Sequence, residues 1–150
     1  MPALFFSLAA LLAWALQLLL FAPDGMQDRT ARADAEASSF LVSHQAAADW
    51  VTRNGRPPGP VLAAALVFPV GYTTRAEWQH VVVDGRLFSY TRIDYEQPAG
   101  FADVLGTVGQ SACLRAVDSS DTARCPTGTV ALPAAVASEV RQGAAMIVGG

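Results

Sequence analysis

The sequence has few of the residues from which catalytic and metal sites are most often built. Its 150 residues include two cysteines and two histidines, and no H-E-x-x-H, G-x-S-x-G or Walker sequence occurs. The histidines, His44 and His80, have a spacing that matches no zinc template with Cys113 and Cys125. We therefore expect no catalytic residues, no cofactor-binding residues and no metal ligands.

Lysine is absent, and the ten basic residues are all arginines. They form no basic block, and the net charge of the chain is −3. Nucleic acids and anionic membrane surfaces attract proteins with clustered positive charge, so this distribution argues against both as partners. The short run Gly106–Gly109 lacks the rest of a dinucleotide fingerprint, and no small-molecule substrate is expected.

Charged side chains are also absent from residues 1–22, which read MPALFFSLAALLAWALQLLLFA. Only Ser7 and Gln17 interrupt the apolar and small residues between Ala3 and Ala22. A helix rises 1.5 Å per residue, so about 20 such residues cross a hydrocarbon core roughly 30 Å thick. The pattern therefore predicts a transmembrane anchor at residues 1–22.

The apolar segment at residues 1–22 has three other interpretations. A cleaved secretory signal would begin with basic residues and end in a small-residue cleavage site, whereas no basic side chain precedes this run and Pro23 follows it. A processed prepilin leader would end in glycine and be followed by a glutamate just inside the apolar run, and neither is present. A buried core helix is the third interpretation. We favour a retained anchor.

The orientation of this anchor is predicted differently by two features. Arg29 and Arg32 follow the segment, and the positive-inside rule would place them in the cytoplasm. Cys113 and Cys125 are an isolated pair, which in an exported domain forms a disulfide more often than a metal site. Free thiols and a metal site are the alternatives. We favour a disulfide, a cytoplasmic N-terminus and a periplasmic C-terminal domain.

Residues 23–37 contain helix formers and polar side chains all round, which predicts a juxtamembrane helix or stalk. Residues 38–150 are expected to form the periplasmic domain. At its start, apolar residues recur at spacings of three and four, as in a helix that packs through one face. That stripe contains Phe40, Leu41, His44, Ala47, Ala48 and Val51. We interpret His44 as a hydrogen-bonded residue at the edge of the core rather than as a ligand, and Asn54-Gly55 as the helix stop.

The clearest strand signal is a hairpin around Asp84-Gly85, a dipeptide typical of two-residue turns. It joins strands at residues 78–83 and 86–91, with Val81 opposite Phe88. A short helix at 101–108, strands at 112–117 and from Arg124 onward, and a last strand at 144–148 follow. The sequence thus predicts an α+β domain in which an amphipathic helix packs on a small antiparallel sheet.

Three aromatic residues, Trp50, Tyr72 and Trp78, are candidates for a protein interface, because Trp and Tyr are enriched among residues that anchor interfaces. A position in the core or at its rim is the alternative for each of them.

The order of these segments resembles the PilM family of the thin, type IVB pili that are used in conjugation. The resemblance runs from Glu36 to the C-terminus. Its most specific pieces are the strand G-R-L-F-S-Y-T at residues 85–91 and the segment V-A-L-P-A-A-V at residues 130–136. A-L-V-F-P at residues 65–69 and P-A-G at residues 98–100 also match. The cysteine pair departs from the family pattern.

The resemblance implies a bacterial inner-membrane protein, single-pass, that belongs to the pilus assembly apparatus or the pilus base. Its partners would be other pilus-assembly proteins and the pilin, and no catalytic residues are carried over. One alternative is an uncleaved subunit, similar to a minor pilin, that enters the fibre, since an anchored helix on an antiparallel sheet is a pilin-like plan. Another is a periplasmic enzyme or ligand-binding module.

Overall fold

A long helix, α1 (Asp24–Arg53), precedes a seven-stranded antiparallel sheet and packs on it. The computed structural model describes residues 24–107, 112–115 and 121–149, so the predicted anchor at residues 1–22 lies outside the described ranges. Within those ranges, no helix combines the length and the apolar character needed to cross a membrane.

The predicted long helix, hairpin, short helix and last strand occur in the predicted order, and three elements were not predicted: the strands at Gly59–Pro60 and Gly128–Ala131 and the helix at Ala134–Ala137. The strands are β1 (Gly59–Pro60), β2 (Trp78–Val83), β3 (Arg86–Thr91), β4 (Ala112–Arg115), β5 (Thr122–Cys125), β6 (Gly128–Ala131) and β7 (Ala145–Gly149). Two short helices, α2 (Phe101–Thr107) and α3 (Ala134–Ala137), and a 3-10 turn at Ala63–Ala65 complete the described elements.

The strand order across the sheet is β1-β2-β3-β7-β4-β5-β6, and every neighbouring pair is antiparallel. Strand β7 therefore lies in the middle, between β3 and β4. Among the described strands, β7 is the one that pairs with both the β1–β3 half of the sheet and the β4–β6 half.

The hairpin between β2 and β3 has the predicted register. Val81 lies opposite Phe88, and Val83 lies opposite Arg86. The two turn residues have positive φ angles, 51° at Asp84 and 74° at Gly85, as a two-residue turn that matches the twist of the strands requires. Local turn chemistry therefore fixes which side chains of β2 and β3 share a face.

Helix α1 begins to pack on the domain earlier than its polar composition suggests. Ala33, Glu36 and Ala37 are buried, although they lie in the interval predicted to be polar all round. They continue the line of Phe40, whose ring lies 5.8 Å from that of Phe101 in α2. Because small alanines alternate with charged residues here, the buried face is hidden in the composition, and α1 runs without a break across the predicted boundary at residue 38.

The sheet is covered on both faces. Alternate residues of β3 point to opposite sides, so Leu87 packs toward α1 while Phe88 and Tyr90 pack toward α3. Val136 and Val140 cover this second face. The α1 side, unlike the α3 side, buries polar residues in its centre, and these are described next.

Candidate functional site

A chain of four polar side chains is buried between α1 and the hairpin. The Ser43 hydroxyl lies 2.8 Å from His80 Nε2. His80 Nδ1 lies 2.8 Å from the Ser89 hydroxyl, which in turn lies 2.8 Å from His44 Nδ1. The chain therefore links α1 to β2 and β3.

Two local features of the sequence create this network. His80 and Ser89 face each other because they are directly paired in the hairpin register. Ser43 and His44 are consecutive on α1, so one reaches His80 and the other reaches Ser89. The prediction that His44 is a hydrogen-bonded residue at the core is confirmed.

Burial holds both imidazoles in the neutral form. It lowers the pKa of His44 to about 4. Burial, and secondly the charge on His44, lower the pKa of His80 to about 3. The Ser89 hydroxyl has one proton, so it donates to one imidazole and accepts from the other. Both histidines can therefore be neutral and hydrogen-bonded at the same time.

The serine–histidine contacts do not form an accessible nucleophile. Ser89 and Ser43 are fully buried, so a substrate cannot reach either hydroxyl. A nucleophilic serine needs a base within hydrogen-bond distance and also space for the reacting group. This network meets the first condition and not the second, and its evident effect is to fix α1 on the sheet.

A second polar cluster fixes the N-terminal half of α1. Glu36, which is buried, accepts a hydrogen bond from Arg32 Nε at 3.0 Å, and the Tyr95 hydroxyl donates to its other carboxylate oxygen. The Arg75 guanidinium lies 3.8 Å from Glu36 and 5.6 Å from the centre of the Trp78 ring. Glu36 thereby joins α1 to the segments that flank the hairpin.

Cys113 and Cys125 form a disulfide between β4 and β5. Leu114 pairs with Arg124 in this ladder, which places the two cysteines directly opposite each other. Cys113 is fully buried on the α3 side of the sheet. Among the described residues, no three His, Cys, Asp or Glu side chains lie close enough together to hold a metal ion.

The three aromatic interface candidates lie in different environments. Trp78 is buried, with its ring 5.7 Å from Phe40 in an edge-to-face arrangement, so of its two interpretations the core position is the one observed. Its place could have been predicted, since Trp78, His80 and Val82 alternate on the face that α1 covers. Trp50 and Tyr72 are half-buried.

Sequence reasoning missed an exposed apolar segment next to Trp50 and Tyr72, whose Phe68 stacks on Tyr72 and packs against the same core cluster as Trp50. The segment between β1 and β2 exposes Leu62, Val67 and Val70, the last of them completely. We call these three residues, with Trp50 and Tyr72, the loop surface. A signal for it exists in the sequence, because no charged residue occurs between positions 57 and 74.

These observations define the class of protein: a helix-on-sheet α+β protein with an inaccessible polar network and an exposed apolar surface. The chain belongs to the PilM family, whose family model matches residues 9–147. PilM is a pilus biogenesis family, so the protein is related to pili.

A solved structure agrees with this assignment at the level of the fold. The chain is similar to the crystal structure of a protein named PilM from Escherichia coli B7A, with a TM-score of 0.57 and 15% sequence identity. The match covers 80% of this chain and 93% of that chain. A search of curated proteins gives no match.

Proposed function

We propose that the protein is a non-enzymatic component of a type IVB, conjugative pilus assembly apparatus or of the pilus base. It acts by contacts with other pilus-assembly proteins and with pilin. The observation that carries this proposal is the match of the PilM family model to nearly the whole chain, residues 9–147. The burial of the hydroxyls of Ser43 and Ser89 supports a role without catalysis.

We propose further that residues 1–22 anchor the protein in the inner membrane and that the domain faces the periplasm. The apolar segment ends at Ala22, two residues before Asp24, the first residue of α1, so the proposed anchor and α1 are adjacent in the sequence. The Cys113–Cys125 disulfide supports the periplasmic orientation, since disulfides persist in oxidising compartments.

Deletion of the gene, with complementation, tests the proposed role. We expect the deletion to abolish pili and conjugation, and the intact chain to restore both. Normal piliation in the deletion strain would refute the proposal. For the orientation, a phosphatase fused to the C-terminus is expected to be active, and an inactive phosphatase beside an active cytoplasmic reporter would overturn it.

The second candidate function is that of an uncleaved subunit, similar to a minor pilin, within the fibre. It is favoured by the long helix α1 packed on an antiparallel sheet, a pilin-like plan. Shearing and fractionation separate the two candidates. Recovery of the protein in sheared fibres indicates the subunit, whereas retention in the inner membrane indicates the assembly component.

A further inference from the structure

The loop surface combines high exposure with an unusual absence of charge. Leu62 is 66% exposed, Val67 71% and Val70 fully exposed, within a stretch of the sequence that has no charged side chain from residue 57 to residue 74. Exposed apolar patches of this kind are typical of interaction sites rather than of inert surface.

The segment that forms this surface is held firmly. Its first residue, Val61, donates its backbone N–H to the His80 carbonyl at 2.8 Å. At its other end the Tyr72 hydroxyl donates to the Ser39 carbonyl at 2.8 Å, and the Tyr72 ring stacks on Phe68 at 4.7 Å. The exposed valines are therefore displayed on an ordered platform, so a partner would not have to order them.

The neighbouring sheet edge is unsuited to receiving another strand. Strand β1 has two residues, and Pro57, Pro58 and Pro60 lack the N–H groups that strand addition needs. A partner at this edge must therefore bind through side chains. An α-helix with an apolar stripe meets that requirement, since its own backbone hydrogen bonds are already made.

The charges that flank the surface indicate the chemistry of the partner. Arg53 is exposed one turn beyond Trp50, whereas Arg75, three residues after Tyr72, is already 3.8 Å from Glu36. In the described part of the chain, no carboxylate forms an ion pair with Arg53. An acidic side chain on a partner would give Arg53 a charge-assisted hydrogen bond.

We propose that the loop surface docks an amphipathic α-helix of another pilus-assembly protein, with its apolar stripe on Val67 and Val70 and an acidic side chain near Arg53. The inference rests on the proposed function, since it presumes partners in the pilus machinery. Measured along α1, Ser39 lies about 22 Å from Asp24 at 1.5 Å per residue. With an upright α1, the surface thus stands beyond the headgroup layer, which argues for protein rather than lipid.

The test uses the full-length chain in its own membrane. A photo-crosslinking amino acid replaces Val67 or Val70, and the matched control position is Ile93, which is exposed and apolar outside the loop surface. Adducts are identified by mass spectrometry down to the crosslinked residue. We expect a protein adduct at 67 and 70, mapped to one face of a partner helix, and none at 93.

Two sets of variants then probe the contact. V67D/V70D is expected to lower the adduct formed from a probe at Leu62 by at least about tenfold, because a docked aspartate is buried without a partner, whereas I93D leaves it unchanged. R53E is expected to lower it as well, and reversing the acidic residue mapped on the partner is expected to restore it. R124E, at an exposed position of β5, is the charge control.

Each remaining outcome overturns the proposal. Adducts with lipid only, or with a second copy of this chain only, identify a different occupant. Absence of any adduct, with normal piliation in V67D/V70D, shows that the surface is not used. If the deletion strain loses its pili and the V67D/V70D strain keeps them, the docking proposal fails and the proposed function stands. Failure of the one can therefore be distinguished from failure of the other.

Discussion

Ser89 has one hydroxyl proton and two imidazole neighbours, and its hydroxyl takes part in two of the three hydrogen bonds of the buried chain. The S89A variant leaves two buried ring nitrogens without a partner. We expect it to lower the free energy of unfolding by about 1–3 kcal/mol, measured by urea denaturation. S138A removes an exposed hydroxyl and is expected to stay within about 0.5 kcal/mol of the parent. Equal losses in the two variants would contradict the role of Ser89.

The two histidines also make stability depend on pH. Their pKa values lie near 4 at His44 and near 3 at His80, below the usual value near 6.5. The unfolded state therefore binds more protons below pH 6.5. The free energy of unfolding should therefore be unaffected by the two histidines above pH 6.5. It should fall as the pH drops toward 4, by up to about 1.4 kcal/mol per pH unit for each histidine.

Denaturation curves at pH 7.5, 6.0 and 5.0 measure this dependence. The H44Q variant is expected to have a smaller slope below pH 6.5 than the parent, since one of the two shifted groups is gone. An H44Q slope equal to that of the parent would show that carboxylates, rather than the buried imidazoles, govern the acid response.

Part of the buried polar network could be predicted from the sequence. His44 was placed correctly at the core, but its partner Ser89 is 45 residues away and α1 could not be docked on the sheet from periodicity alone. The His80–Ser89 pair was accessible, because it follows directly from the register predicted for the hairpin. Trp78 was left open between interface and core, although the alternation along β2 assigns it to the covered face.

Among the elements, strands β4 and β5 are joined by a disulfide in addition to their backbone hydrogen bonds. They are four residues each, and the disulfide joins Cys113 to Cys125 across a sequence separation of 12. In the chain-entropy model, a link closing a loop of this size stabilises the fold by about 3 kcal/mol. The C113A/C125A variant is therefore expected to unfold at lower denaturant concentration.

The C113A/C125A variant also tests whether the loss of stability comes from the disulfide bond itself. Reduction of the parent chain should destabilise it by a similar amount and should leave C113A/C125A unchanged. A parent chain that is unaffected by reduction, at a reductant concentration that yields free thiols, would contradict the prediction.

Elements set by local chemistry were predictable, and elements set by distant packing were less so. Asp84-Gly85 specifies its hairpin through two adjacent residues that accept positive φ. The N-terminal half of α1 gave no such signal, because Ala37 packs with Phe101 and Leu105 of α2, far along the chain. The exposed segment with Leu62 and Val67 was missed because apolar residues are expected inside.

For the whole molecule, the position of β7 is the decisive feature. Its pairing with β3 joins Phe88 to Val148, 60 residues apart in the chain, and no local pattern specifies such a partner. Gln97 fixes the start of β7, since its side-chain amide donates to the Ala145 carbonyl and accepts from the Ala145 N–H, both at 2.8 Å.

Removal of residues 145–150 is therefore expected to abolish cooperative unfolding. The truncation takes Met146 out of one core and Ile147 out of the other. Burial of each side chain is worth about 1.5–3 kcal/mol, out of the 5–15 kcal/mol that a typical domain has in total. Removal of residue 150 alone is the control and should leave the transition in place. Retention of a cooperative transition in the longer truncation would refute the central role of β7.

This arrangement also constrains when the protein can fold during its synthesis. Until residue 149 has emerged, β3 and β4 each present a bare edge, and the chain consists of two partial sheets with exposed backbone groups. Insertion of β7 joins them. A chain terminated before β7 would stay open and remain a substrate for chaperones and proteases, so synthesis of β7 is itself the condition for passing quality control.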